Sequence, residues 1–478
     1  MLLEVQVHAL LKAYLREHRD IDWPHHLTIA RLVARGLRIG RSSLIQTGTE
    51  VERYSLSYLI PALLTTENIL LVVPEAWQVK LLEQDIPHLQ NWLKEHQSEV
   101  ELSQSKLMIT SFPNWLSDRL NHLGHFPDSL PTVIIQAEDL ETWSRQQLTL
   151  DLTPQDWLEQ LQQANSQQHN ITTVKVKITQ NLYQHPPNPY GCYALDESIQ
   201  IELESLWDNL GSLGLLSPVM ERFWRQWQQG EQIFWASLQR ETGQFHLFLA
   251  PHSVAGYLSQ IWTRQPVVIM GQFIDKQITA TLGLEDILQL NFAPDAQREL
   301  IQLYSPARFP FPNTPEFQFA LYREINKLIT NQGLVILVDD LPLKGQLAAI
   351  LASEYGSRVQ VETQDLPTNG ILISGWEFWC EQAEPFWSPE LLIMVTLPLP
   401  SLEHPVVASR VNYYKQKRQD WFRGYLLPTA LNKMQKAIVP LRNSQGTLVI
   451  LDNRVNYRSY GDDIIKALEP CARINNLS

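Results

Sequence analysis

The run Ser43-Leu44-Ile45-Gln46 leads into Thr47-Gly48-Thr49, and then through Glu50-Val51-Glu52-Arg53 into Tyr54-Ser55-Leu56-Ser57-Tyr58-Leu59. Strand, glycine-containing turn and helix in that order form the arrangement in which backbone N–H groups wrap phosphate oxygens. Thr47, Gly48, Thr49 and Ser55 could supply the turn and the hydroxyls. The same chemistry needs a lysine ammonium for the outer phosphates, and no lysine stands between Ile45 and Val79. Glu50 and Glu52 bring negative charge to the place where phosphate would sit. Arg53 is a planar fork rather than a point charge and is no simple substitute. Other groups have the types that meet nucleic acid. Arg31, Arg35 and Arg38 share one face of a helix at i, i+4 and i+7, and Lys415, Lys417, Arg418 and Arg423 surround Trp421. Each set is either a solvated face or a row of phosphate contacts.

The elements that must position these groups follow from apolar periodicity. Asn68 to Val73 reads as a buried strand followed by a helix, and Lys106 to Thr110 and Thr132 to Ile135 read as further strands. Residues 141–250 are rich in Gln and Trp and predict helices over Gln155–Asn165 and Ile199–Arg225. Their Trp207, Trp224, Trp227 and Trp235 either stack bases or pack a helical core. Gln244 to Pro251 returns to a strand, and Pro266 to Met270 gives another. After a proline-rich hinge at Pro306 to Asn313, strands and helices alternate to the end, which predicts a parallel sheet covered by helices. The expected division is a first α/β domain over 1–145, a helical insertion over 146–245, completion of the first domain over 246–300, and a second α/β domain over 301–478.

Composition sets bounds on function. The chain has 478 residues, 44% of them apolar, enough for two or three domains with substantial cores. Three cysteines, far apart, suit a reducing cytosol and are too few for a four-cysteine iron–sulfur cluster. No apolar run approaches roughly 18 residues, so a soluble, cytoplasmic protein without a membrane span is expected. A net charge of −13 argues against non-specific polyanion binding, though a local basic groove is compatible with it.

The densest pattern is Trp421 to Gly461. A helix with apolar residues at Leu427, Leu431, Met434 and Ile438 ends at Asn443-Ser444-Gln445-Gly446, and the buried strand Thr447 to Leu451 leads to Asp452-Asn453-Arg454. Phe422, Tyr425, Leu427, Pro428, Ala430, Gln435, Arg442, Gly446, Asp452, Arg454, Tyr460 and Gly461 stand in the order of the last helicase motif. Here the chain resembles DinG-type and XPD-type DNA helicases of superfamily 2. Further likeness lies in Tyr58, Leu59, Pro61, Ala62 and Leu63, in Gln78, Leu81, Leu82, Asp85, Ile86, Pro87 and Leu89, and in Phe378 and Trp379.

The resemblance implies an α/β fold of two RecA-like parallel-sheet domains, the first interrupted by a helical insertion. It implies ATP and Mg²⁺ as cofactors and single-stranded DNA as partner. It places Gln435 and Arg442 with Thr47, Gly48, Thr49 and Ser55 at the nucleotide, and Trp379 with Arg31, Arg35, Arg38, Lys417 and Arg418 toward nucleic acid. Several family positions hold other residues. The family's first arginine of the last motif falls on Val439. The magnesium-linked Asp of the D-E pair falls on Ile135 and its water-activating Glu on Gln136, unless the register slips to Glu138 or Asp139. Gly271-Gln272-Phe273-Ile274 replaces the S-A-T element, and Trp23-Pro24-His25-His26 keeps only the proline of the adenine motif. An amide takes no proton from water. Two readings follow: a helicase-shaped protein that binds single strands or a protein partner without turnover, and an active helicase with an atypical nucleotide site.

Overall fold

The computed structural model describes residues 2–18, 25–96, 107–272, 277–380 and 387–476. They form two compact units, one made of Met1–Leu140, Tyr257–Leu399 and Pro428–Ser478, the other of Glu141–Gly256 and Pro400–Leu427. The first unit contains both parallel sheets. Its six-stranded sheet runs in the order Leu288–Asn291, Ser43–Gln46, Val267–Gly271, Thr132–Ile135, Ile69–Val72, Leu107–Thr110. Every pairing is parallel. The central strands are short runs of branched apolar residues buried on both faces, as a parallel sheet between helices requires. The carboxyl ends of Ser43–Gln46, Thr132–Ile135 and Val267–Gly271 therefore deliver residues 47–50, 136–139 and 271–272 to one edge, where open α/β sheets carry their functional groups.

The seven-stranded sheet has the order Val359–Val361, Ile371–Ser374, Leu334–Leu337, Leu391–Met394, Thr447–Ile450, Ile301–Tyr304, Cys471–Ile474, again all parallel. Two RecA-like sheets are thus present, as the resemblance implies. Gly446 is fixed by packing: a Cβ there would lie 2.5 Å from the Glu390 carbonyl oxygen. The helix expected from Leu426 onward is in three pieces, a π-turn at Phe422–Leu426, an α-helix at Leu427–Ala437 and a short helix at Val439–Asn443. Pro428 has no N–H for the carbonyl of Gly424, four residues back, and the Tyr414 hydroxyl donates to that carbonyl instead at 3.1 Å. A second π-turn, Leu81–Asp85, also lies just ahead of a proline, Pro87.

The second unit is not purely helical. The helices Pro154–Gln163, Gln168–Gln184, Glu197–Ser212 and Pro218–Trp227 accompany a four-stranded antiparallel sheet ordered Leu150–Leu152, Gln244–Pro251, Gln232–Gln239, Cys192–Tyr193. The strand at 244–251, expected to complete the first α/β domain, pairs along its whole length with Gln232–Gln239. Pro400–Leu427, expected within the second α/β domain, also groups with this unit. Trp207 is fully buried, with Trp224 and Trp227 each 5.5 Å away, so this tryptophan cluster is a helical core. Trp235 is half-buried and stacked on Phe248 at 5.1 Å. Among the described residues no helix is long and apolar enough to cross a membrane.

Candidate functional site

Several donors of the turn after Ser43–Gln46 are committed within the protein. Thr47 N–H donates to the Gly271 carbonyl at 2.9 Å and Gly48 N–H to the Gln272 carbonyl at 3.2 Å. The Thr47 hydroxyl donates to the Thr49 carbonyl at 2.6 Å. Gly48 has φ +75°, and a Cβ on it would stand 2.5 Å from the Phe292 carbonyl oxygen, so the main chain at 292–294 lies directly on the turn. Thr49 is buried and its hydroxyl donates to the carboxylate of Glu299, itself 2% exposed. The other Glu299 oxygen has no protein partner. Arg53 donates to Glu50 at 2.9 Å and to Glu299 at 3.4 Å, and also reaches the Asn443 side chain. Burial pushes the Glu50 carboxyl above its ordinary range, against the lowering effect of Arg53. Ser55 is half-buried at the start of the helix Ser55–Leu64, after a tight turn at Val51–Tyr54.

The acidic turn after Thr132–Ile135 meets the helix Leu427–Ala437. Ile135 is core, and Gln136 follows in the left-handed region at φ 66°. Lys436 Nζ donates to Asp139 at 2.6 Å, and Asn432 donates to the Glu138 carbonyl at 3.2 Å. Burial and then the charge of Asp139 push the Glu138 carboxyl up to about 7, with Lys436 opposing. Glu138 Oε2 has no partner. Burial works against the charge of Lys436, but Asp139 and Glu138 hold its pKa above the ordinary lysine value.

Gln435 and Arg442 lie elsewhere. Gln435 donates to the Ala467 carbonyl at 2.9 Å. Arg442, 6% exposed, donates to the carbonyls of Glu299 at 2.6 Å, Leu468 at 3.0 Å, Glu469 at 3.1 Å and Pro470 at 3.3 Å. Its guanidinium is bound to main chain, and burial lowers its pKa. Of the six residues expected at a nucleotide, Thr47, Gly48, Thr49 and Ser55 share one loop. Arg442 reaches their neighbourhood through the Glu299 main chain, and Gln435 faces the last helix.

The residues expected toward nucleic acid divide similarly. Arg31 and Arg35 are exposed on the helix His26–Ile39. Arg38, on the same face, is held by Glu4 through a fork with contacts of 3.0 and 2.7 Å. Trp379 is 5% exposed and donates its indole N–H to the Ala437 carbonyl at 2.9 Å, which makes it a packing residue rather than a surface for a base. In the second unit Lys417 pairs with Glu231 at 2.7 Å and lies over the Tyr413 ring. Arg418 is exposed with φ 56°, and Lys415 lies 5.5 Å from the centre of the Trp421 ring. Trp23, Pro24, Phe273 and Ile274 lie outside the described residues. Sequence reasoning missed Glu299 and Lys436. Nothing local marks Glu299, whereas Lys436 adjoins Gln435 in the recognised motif and could have been considered on charge.

Comparison with known proteins agrees with the motif reading. Residues 388–471 match the Helicase C-terminal domain family. The ATP-dependent DNA helicase YoaA of Haemophilus influenzae is 23% identical over 138 residues, 28% of this chain and 22% of that protein, so the match spans about a fifth of that relative's length. A solved XPD helicase superposes with a TM-score of 0.63 at 13% identity, covering 95% of this chain and 100% of the other. Xpd4 of S. tokodaii gives 0.61 at 11% identity, with 95% and 100% covered. The likeness to DinG- and XPD-type helicases therefore holds in sequence motif and in fold.

Proposed function

We propose that this chain is a helicase-fold protein that binds single-stranded nucleic acid without using ATP. The observation that carries this reading is the state of the 47–53 turn. The Thr47 and Gly48 N–H groups donate to Gly271 and Gln272, the Thr47 and Thr49 hydroxyls to Thr49 and Glu299, and the one guanidinium to Glu50, Glu299 and Asn443. A nucleoside triphosphate brings several negative charges and needs free donors and a lysine. The residues present offer carboxylates, no lysine and side-chain donors already bonded within the protein, and do not fit it. What remains for a polyanion is cationic surface, including the exposed Arg31 and Arg35.

The second reading, an ATP-dependent helicase with an atypical site, is favoured by one observation. Glu138, two residues beyond the position of the motif's water-activating Glu, has a pKa near neutrality and an unpartnered oxygen, the properties of a general base. Fluorescence anisotropy with a labelled oligothymidylate separates the two. The expected result is binding that weakens steeply with salt and is the same with and without ATP and Mg²⁺. Nucleotide-dependent release would favour the helicase reading, and absence of binding even at low salt would favour a protein partner.

A further inference from the structure

In the second unit, two arginines converge on one carboxylate oxygen. Arg145 Nη2 donates to Glu141 Oε1 at 2.6 Å, and Arg410 Nη2 donates to the same atom at 2.5 Å. The Arg145 and Arg410 side chains are 11% and 12% exposed. Two guanidinium charges thus share one negative charge in a poorly hydrated place, and the imbalance is costly unless an anion completes it. The nearby carboxylate Glu231 is committed to Lys417 at 2.7 Å. Arg145 also donates to the His252 carbonyl at 3.2 Å, joining that histidine to the cluster. Burial, then Arg145 and Arg410, lower the His252 pKa to about 4, so the ring is neutral at physiological pH.

Two buried nitrogens in the cluster have no protein partner, Arg410 Nε and His252 Nδ1. Packing already places aromatic rings around them. The Arg410 guanidinium lies 3.7 Å from the centre of the Tyr425 ring. The His252 and Tyr413 rings are stacked at 4.5 Å and 8°. Lys415 and Trp421, from the same 400–427 segment, form a further cation–ring pair.

We infer that Arg145, Arg410 and His252 form a site for a backbone phosphate of single-stranded nucleic acid, beside the Tyr413 and Tyr425 rings. A cationic pocket alone would accept any phosphate. The alternation of cation and ring favours a strand, whose phosphates and bases repeat together. The inference rests on the nucleic-acid reading above and assigns it a location.

The test uses the full chain and a fluorescein-labelled oligothymidylate of about 15 nucleotides. Arg410→Gln is expected to weaken binding about tenfold and to reduce the salt slope by about one ion, whereas Arg410→Lys retains the slope. Glu141→Gln, which leaves both guanidinium charges uncompensated, is expected to tighten binding several-fold. Photocrosslinking of the unaltered protein to an iodouracil-substituted oligonucleotide provides a readout independent of how the variants fold, and adducts are expected on Tyr413 or Tyr425. If the unaltered protein binds while Arg410→Gln keeps full affinity and slope and the adducts map elsewhere, the site is refuted and the nucleic-acid reading stands. If no oligonucleotide binds even at low salt, that reading falls and this site falls with it. Arg410-dependent capture of a phosphoserine peptide without oligonucleotide binding would overturn the assignment in favour of a protein ligand.

Discussion

Replacing Glu138 by glutamine should stabilise the protein at alkaline pH and leave it nearly unchanged in acid. The Glu138 carboxyl titrates at about 7 in the fold against an ordinary 4.5, because burial and Asp139 outweigh Lys436. Between those values the folded chain holds a proton that the unfolded chain has released. Stability therefore falls as pH rises from 4.5, and the loss is complete above about 7. At about 1.36 kcal/mol per tenfold change in proton affinity, the ionised side chain costs about 3 kcal/mol in alkali. Glutamine removes that charge and, like the protonated carboxyl, leaves a polar group without a partner at the Oε2 position, so the gain expected in alkali stays at about 3 kcal/mol. Denaturant unfolding of both proteins at about pH 4.5 and pH 8.5 measures the difference directly. A gain in alkali that disappears in acid is expected. A variant that is equally stable or less stable in alkali, or a difference independent of pH, would refute the assignment of Glu138 as a carboxyl that is largely protonated at neutrality.

Thr49→Val should cost about 1–3 kcal/mol, since it removes a hydroxyl donor from the buried Glu299 side chain; thermal unfolding reads this. Trp379→Ala should cost about 3–5 kcal/mol in unfolding measurements yet leave oligonucleotide affinity per folded molecule unchanged, because the ring is core. Arg31→Ala and Arg35→Ala should each lower the salt slope of oligonucleotide binding by about one, whereas Arg38→Ala should change it little, because Glu4 already neutralises that side chain.

The parallel sheets were legible because their central strands, such as Ile69–Val72 and Leu391–Met394, are uninterrupted apolar runs between helical patterns. The edge strand Leu288–Asn291 was not, since it is largely exposed and has no such signature. Gln244–Pro251 could be recognised as a strand but not assigned to a sheet, because alternation specifies a face and not a partner. The turn at Thr47, Gly48 and Thr49 could be read from residue type. Its contact with Glu299 could not, for Glu299 lies 250 residues along the chain from Thr49 and only the fold brings its carboxylate there. Gln435 and Lys436 show the limit of motif transfer. Adjacent helical residues project about 100° apart, so one reaches the acidic turn while the other faces Ala467.

If the chain's own groups have taken the place of nucleotide, calorimetric titration of the unaltered protein with ATP and Mg²⁺ will show no binding tighter than about 1 mM. Micromolar, Mg²⁺-dependent binding that is lost in Thr49→Val or Ser55→Ala would contradict it.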